Sequence, residues 1–196
     1  MQSRYLTADE VTALAREAGE GWLPFAVALC TGLRIGDVLK IREEDLRAEG
    51  VSFVAEKTGK SGFAALPVPI LRALRKNAAG GWCFPSPKAS GKHLTRQAAW
   101  ARLKRAADRA GIPAAGVSPH ALRKCFAVER MRSGGLADVQ TALQHTGVKV
   151  TELYAFSDWL TGENANLPLL RGDVMRIADK VAEVLQTKIA DLLRGA

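Results

Sequence analysis

Two tyrosines, three histidines and three cysteines are all that this chain of 196 residues offers of those chemically useful types. Cys30, Cys83 and Cys125 are odd in number, far apart and mostly flanked by apolar residues, so they exclude a disulfide framework and predict reduced core residues of a cytoplasmic protein. His93, His120 and His145 stand 27 and 25 residues apart, and together with the scattered cysteines they match no usual zinc spacing. Clustered carboxylates of the kind that hold two metal ions are missing too, so no metal is expected. A glycine-rich phosphate loop is absent, the run Lys57-Thr58-Gly59-Lys60 being too short to form one. No apolar stretch approaches the roughly 20 residues that span a bilayer. The longest, Trp22–Leu33, has the length of a buried helix. Met1–Glu20 is polar and helical in pattern, so neither a signal peptide nor a membrane partner is expected.

What the chain has is positive charge in one place. A hydrophobic fraction of 47% and a charged fraction of 24% suit a soluble globular protein of one domain. The net charge is +8, but residues 57–132 hold 16 lysines and arginines against two acids, Asp108 and Glu129. That segment carries +14 and the remainder of the chain −6. A solvated surface normally mixes the signs, so this segregation points to a polyanion as partner, a basic surface without a partner being the blander alternative.

Thr7-Ala8-Asp9-Glu10 has capping-box spacing and opens a helix with Val11, Leu14 and Ala15 on one face. Trp22–Leu33 predicts a buried helix and Gly36–Ile41 a short one. Val51–Ala55 and Phe63–Val68 are apolar and β-prone arms around a polar, glycine-rich connection at 57–62, the pattern of a hairpin. Pro69–Asn77 predicts a helix with proline in its first turn, and Gly80–Gly91 a loop. Helices are expected at Thr95–Ala110, Pro119–Ser133, Leu136–Gln144, Val150–Tyr154 and about Asp173–Leu193. The fold class is mainly α with a small antiparallel β-sheet at its side, an α+β arrangement.

The polar residues that interrupt the apolar pattern carry the chemistry. Arg34 emerges where a buried helix ends beside a glycine, a position from which a guanidinium can fork onto a phosphate. Alone it reads more readily as a surface arginine paired with Asp37. Lys57 sits at the hairpin turn, where a flexible ammonium can reach a ligand. His120 and Arg123 are three apart, hence on one helix face, close to a helix start that favours anions. His145 ends a predicted helix, and Tyr154 follows nine residues later. A single tyrosine between Leu153 and Phe156 is ordinarily a half-buried core residue.

Taken in order, Thr31-Gly32-Leu33-Arg34, Lys57-Thr58-Gly59-Lys60 at a hairpin, His120-Ala121-Leu122-Arg123, Leu143-Gln144-His145 and Tyr154 resemble the tyrosine recombinase, or phage integrase, family. The resemblance runs from about Leu6 to Tyr154. Gln144 stands where the family usually has glycine. The resemblance implies the family's catalytic-domain fold and a DNA recombinase working on double-stranded DNA as a homo-oligomer, a tetramer on its substrate. It implies Tyr154 as the nucleophile that joins a 3′-phosphate and frees a 5′-hydroxyl. Arg34 and Arg123 would clamp the non-bridging oxygens, His120 would exchange the tyrosine proton, Lys57 would protonate the departing oxygen and His145 would hydrogen-bond the phosphate. Because the phosphotyrosine stores the bond energy, strand exchange needs no cofactor, neither ATP nor metal. Lys60, Lys92, Arg96, Arg102 and Arg105 are candidates for DNA contacts. Competing classes are a type IB topoisomerase-like enzyme and a catalytically idle DNA-binding regulator of the same fold.

Residues 1–172 are expected to form the catalytic domain and 173–196 a terminal helix. Val174, Ile177, Val181, Val184, Leu185, Ile189 and Leu192 recur there at helical spacing. The stripe either packs on its own domain or, as the resemblance implies, links protomers.

Overall fold

The computed structural model describes residues 4–130 of the chain. The helices expected at Leu136–Gln144, Val150–Tyr154 and Asp173–Leu193 lie outside the described residues, as do His145, Tyr154 and the division at 172 and 173.

Helix α1, Ala8–Ala18, begins where the sequence places it, because Thr7 Oγ1 accepts from Glu10 N at 3.2 Å while Glu10 Oε2 accepts from Thr7 N at 3.0 Å. Its apolar face, Val11, Leu14 and Ala15, is buried against α5, Arg96–Arg109. A 3-10 turn at Gly19–Trp22 leads into α2, Leu23–Thr31, which is buried along all but one of its residues. The expected helix at Trp22–Leu33 is therefore shorter by one residue at its start and two at its end, since Gly32 turns left-handed there (φ 67°, ψ 8°). A five-residue helix α3 follows at Ile35–Leu39.

Strands β1, Gly50–Val54, and β2, Ser61–Ala65, pair antiparallel with Ser52 opposite Phe63 and Phe53 opposite Gly62. The second arm was expected at Phe63–Val68. It lies earlier because the turn closes within 55–60: Ala55 N donates to Lys60 O at 2.9 Å, and Gly59, at φ 66°, reverses the chain. Val68 already belongs to α4, Val68–Asn77, with proline in its first turn as expected. Residues 80–91 form the expected loop, braced by isolated bridges, and 119–130 form α6. The architecture is helix-rich with one small antiparallel sheet, as the sequence predicts.

One core joins these elements. Trp22, Phe25, Leu14, Leu33, Ile70, Leu74, Leu103 and Leu122 are among its fully buried side chains. Burial pushes the thiols of Cys30, Cys83 and Cys125 up to about 12, in keeping with unreactive core cysteines. Arg4 ties the start of the chain to this body. Its guanidinium donates to both carboxylate oxygens of Glu10, at 2.8 and 2.6 Å, and its backbone N–H donates to Gly116 O at 3.2 Å.

The hydrogen bonds from Arg4 hold the Glu10 carboxyl below its ordinary value of 4.5, against the opposing effect of burial. A carboxyl lowered on folding stabilises fully above its ordinary value and loses that contribution as the pH falls through its folded value. Glu10→Gln keeps the capping geometry and removes the charge. We expect it to cost about 1 kcal/mol at pH 7, with the deficit shrinking below about pH 4. Thermal unfolding of both proteins across that range checks this, and a deficit that does not depend on pH would contradict it.

Candidate active site

The end of α2 is built by three residues before Arg34 begins. Thr31 Oγ1 donates to Val27 O at 2.7 Å and accepts from Leu33 N at 3.2 Å, while Gly32 N donates to Ala28 O at 2.9 Å. Gly32 has two reasons to be glycine. Its φ of 67° is left-handed, and a Cβ there would sit 2.3 Å from Cδ1 of Phe126 on α6. Its carbonyl then accepts a hydrogen bond from Nη1 of Arg123, also on α6 and only 4% exposed. The turn thus brings together two arginines 89 positions apart in the chain.

Arg34 is the N-cap residue of α3, with extended backbone (φ −66°, ψ 143°), and its carbonyl accepts from Asp37 N and Val38 N at 2.9 and 3.0 Å. Its Nη1 is buried with no hydrogen-bond partner among the described residues. A buried, unsatisfied guanidinium nitrogen is costly and calls for an acceptor. The alternative reading of Arg34 as an arginine paired with Asp37 does not hold. Asp37 is itself buried, 5% exposed, and turns Oδ1 away to accept from the backbone N–H of Glu56 at 2.9 Å. That bond fastens the hairpin to α3 at the residue before Lys57. Glu56 in turn pairs with Lys40, Nζ to Oε1 at 2.9 Å, and chiefly that ammonium lowers its carboxyl below the ordinary range.

His120 lies in the first turn of α6, exposed, behind Ser118, whose Oγ and carbonyl both accept from Ala121 N at 3.3 and 2.9 Å. Arg34, Lys57, His120 and Arg123 all line one cleft of about 370 Å3, together with Asp37, Glu56 and Arg96 from the start of α5. Four permanent cations face two carboxylates there, a basic concavity suited to an anion with several oxygens. Among the described residues, no group of three or more His, Cys, Asp or Glu side chains is placed to hold a metal ion.

Of the candidate DNA contacts, Arg96 joins this cleft. Lys60, at the far end of the hairpin turn, and Lys92, in the loop after Gly80, are exposed and do not line it. Arg102 and Arg105 do not come to it either. With Arg109 they line a separate groove on the other side of α5, because residues six and nine positions after Arg96 point away from it on a helix. The sequence reading missed Asp37 and Glu56 as parts of the cleft. An acid three residues after Arg34 at a helix start was a visible signal for Asp37. Glu56 offered only its place beside Lys57.

Gly32→Ala is expected to lower stability on the order of 3 kcal/mol, through its left-handed backbone and its clash with Phe126. Chemical denaturation measures the loss. A variant as stable as the parent would show that Gly32 does not set the approach of α6.

Comparisons with known proteins bear on the family and on the fold. The sequence model of the phage integrase family matches residues 4–159. Tyrosine recombinase XerD of Rhizobium meliloti (strain 1021) is 34% identical over 134 residues, covering 63% of this chain and 43% of the relative. Tyrosine recombinase XerD of Mycobacterium tuberculosis (strain ATCC 25618 / H37Rv) is 32% identical over 174 residues, covering 76% of this chain and 55% of the relative. The chain spans about half the length of these curated relatives. Among solved structures, a lambda integrase dimer bound to a core site superposes with a TM-score of 0.64 at 20% identity, covering 79% of this chain and 59% of that one. XerA recombinase does so with a TM-score of 0.65 at 22% identity, covering 82% and 65%.

Proposed function

The chain belongs to the phage integrase family, and we propose that it cuts and rejoins double-stranded DNA at specific sites through a 3′-phosphotyrosine intermediate. The observation that carries this reading is the cleft lined together by Arg34, Lys57, His120 and Arg123, in which Nη1 of Arg34 has no partner among the described residues. Those four are among the six residues that the resemblance implies, and they come from separate segments of the chain.

In the proposed reaction Oη of Tyr154 attacks the scissile phosphorus. The new P–O bond joins the enzyme to the 3′-phosphate, the bond to the 5′-oxygen breaks, and the 5′-hydroxyl leaves. A phenol with an unperturbed pKa near 10 is a weak nucleophile, so it needs a base and a stabilised transition state. His120 takes the phenolic proton and Lys57 protonates the 5′-oxygen. Arg34 and Arg123 hold the non-bridging oxygens as their charge grows, and His145 adds a hydrogen bond. Resealing is the same chemistry reversed, with a 5′-hydroxyl of another strand attacking the phosphotyrosine, so the number of phosphodiester bonds is conserved.

Lys60, Lys92 and Arg96 are the proposed contacts to the DNA beyond the scissile phosphate. Residues 1–172 act as the catalytic domain and 173–196 as a helix that links protomers, so that the working unit on DNA is a tetramer. The protein works in the cytoplasm. No helix among the described residues is long and apolar enough to cross a membrane.

The test is covalent trapping. A nicked suicide duplex built from repeats flanking the gene should yield an adduct at Tyr154, and Tyr154→Phe should abolish it while DNA binding survives. An adduct in that variant would overturn the assignment. Arg34→Ala and Arg123→Ala should each slow single-turnover cleavage by on the order of 100-fold or more while changing affinity far less. Equal losses in affinity and rate would mean that these arginines only bind.

A further inference from the structure

Helix α5 carries arginines on two faces. Arg96 lines the candidate active site, whereas Arg102, Arg105 and Arg109 line a groove of about 540 Å3 on the other side. At about 100° per residue the three fall within a stripe about 60° wide, centred roughly 210° round the helix from Arg96. Their rise along the axis totals about 10 Å.

Nothing among the described residues explains the grouping. Arg109 is held by Glu17, through its carbonyl and a 3.6 Å ion pair, but Arg102 and Arg105 have no hydrogen bond or ion pair among the described residues. Placing three like charges on one stripe opposes helix stability. One carboxylate, Glu20, lines the groove. Leu23, Phe84 and Leu94, each no more than 4% exposed, form its inner side, and Pro85 and Pro87 lie along it.

We propose that this groove docks an acidic peptide segment of a partner protein, with carboxylates on Arg102 and Arg105 and an aliphatic side chain against the apolar inner side. Side chains on one edge of an extended peptide repeat every ~7 Å. Arg102 and Arg105 rise only about 4.5 Å along the axis, so two acids at that repeat reach them through the long, flexible arginine stems, and each carboxylate can take a forked guanidinium. A phosphodiester backbone has nothing to bury against Leu23, Phe84 and the prolines. A duplex seated on the cleft meets the start and the opposite face of α5. The groove's volume is within the ~300–1,000 Å3 range of sites that hold ligand side chains. The inference goes beyond the recombinase reading and does not depend on it.

The experiment uses the full chain and a fluorescein-labelled peptide of 12 residues, alternating glutamate and leucine, followed by anisotropy. Saturable binding is expected, weakened at least tenfold in an Arg102→Gln, Arg105→Gln double variant. It should be unchanged in Lys104→Gln, which alters the same helix outside the groove. A 30-base-pair duplex should leave peptide binding in place, and the double variant should bind that duplex as the parent does. Circular dichroism confirms that the variants are folded. The proposal fails if the peptide does not saturate at millimolar concentration, if the duplex displaces it, or if the double variant retains it. It also fails if the double variant loses duplex affinity and about two units of salt slope, which would make the groove a DNA contact.

Discussion

The candidate site hangs on the carbonyl of Gly32. That oxygen accepts from Arg123, and the bare Cα beside it lets Phe126 approach closer than any side chain would allow. Both contacts come from α6, so one residue sets the distance between the two arginines of the cleft. The guanidinium of Arg123 is nearly inaccessible to water, and a buried charge stripped of its acceptor costs roughly 3–5 kcal/mol. The geometry is therefore enforced by the penalty for departing from it. A side chain packed merely by hydrophobic contact could slide, whereas a desolvated cation on a fixed carbonyl cannot.

The same logic runs along the other edge of the cleft with the charges reversed. Asp37 spends one oxygen on the backbone N–H of Glu56, and its other oxygen, like Nη1 of Arg34 in the same cleft, is buried without a partner among the described residues. Two complementary groups, both short of partners, do not satisfy each other. Leaving them unpaired costs stability, and the guanidinium nitrogen stays available as a donor to an anion in the cleft. Lys57 is positioned by its neighbour's backbone and by the closed turn at 55–60, so its ammonium stays uncommitted while its Cα is fixed.

What was legible in the sequence follows from how local the signals are. The capping box of α1, the α4 helix with proline in its first turn and the hairpin depend on residues a few positions apart, and all three form. Even so, α4 starts one residue before Pro69 and the hairpin turn closes earlier than the pattern placed it. The four site residues of the described part were legible as motif members. Their convergence was not, because it rests on the contact between Gly32 and α6, across some 90 positions. The charge of Asp37 invited a pairing with Arg34. It failed because a backbone N–H from a distant hairpin competes for the carboxylate, and no local pattern reports that hairpin's position.

Helix α5 shows where charge counting overreaches. The excess of +14 in residues 57–132 points to a partner of opposite sign, but a sum over sequence has no direction. On α5 the 3.6-residue period sends Arg96 to the cleft and Arg102, Arg105 and Arg109 to the other side. A duplex lying on one face can release counterions only from the phosphates that its facing cations neutralise. The basic residues of this segment are therefore an upper bound on DNA contacts, and the helical wheel lowers that bound before any DNA is added. The charge on the far face does not line the cleft, and its setting against apolar residues in a groove is where the proposed second partner would answer it.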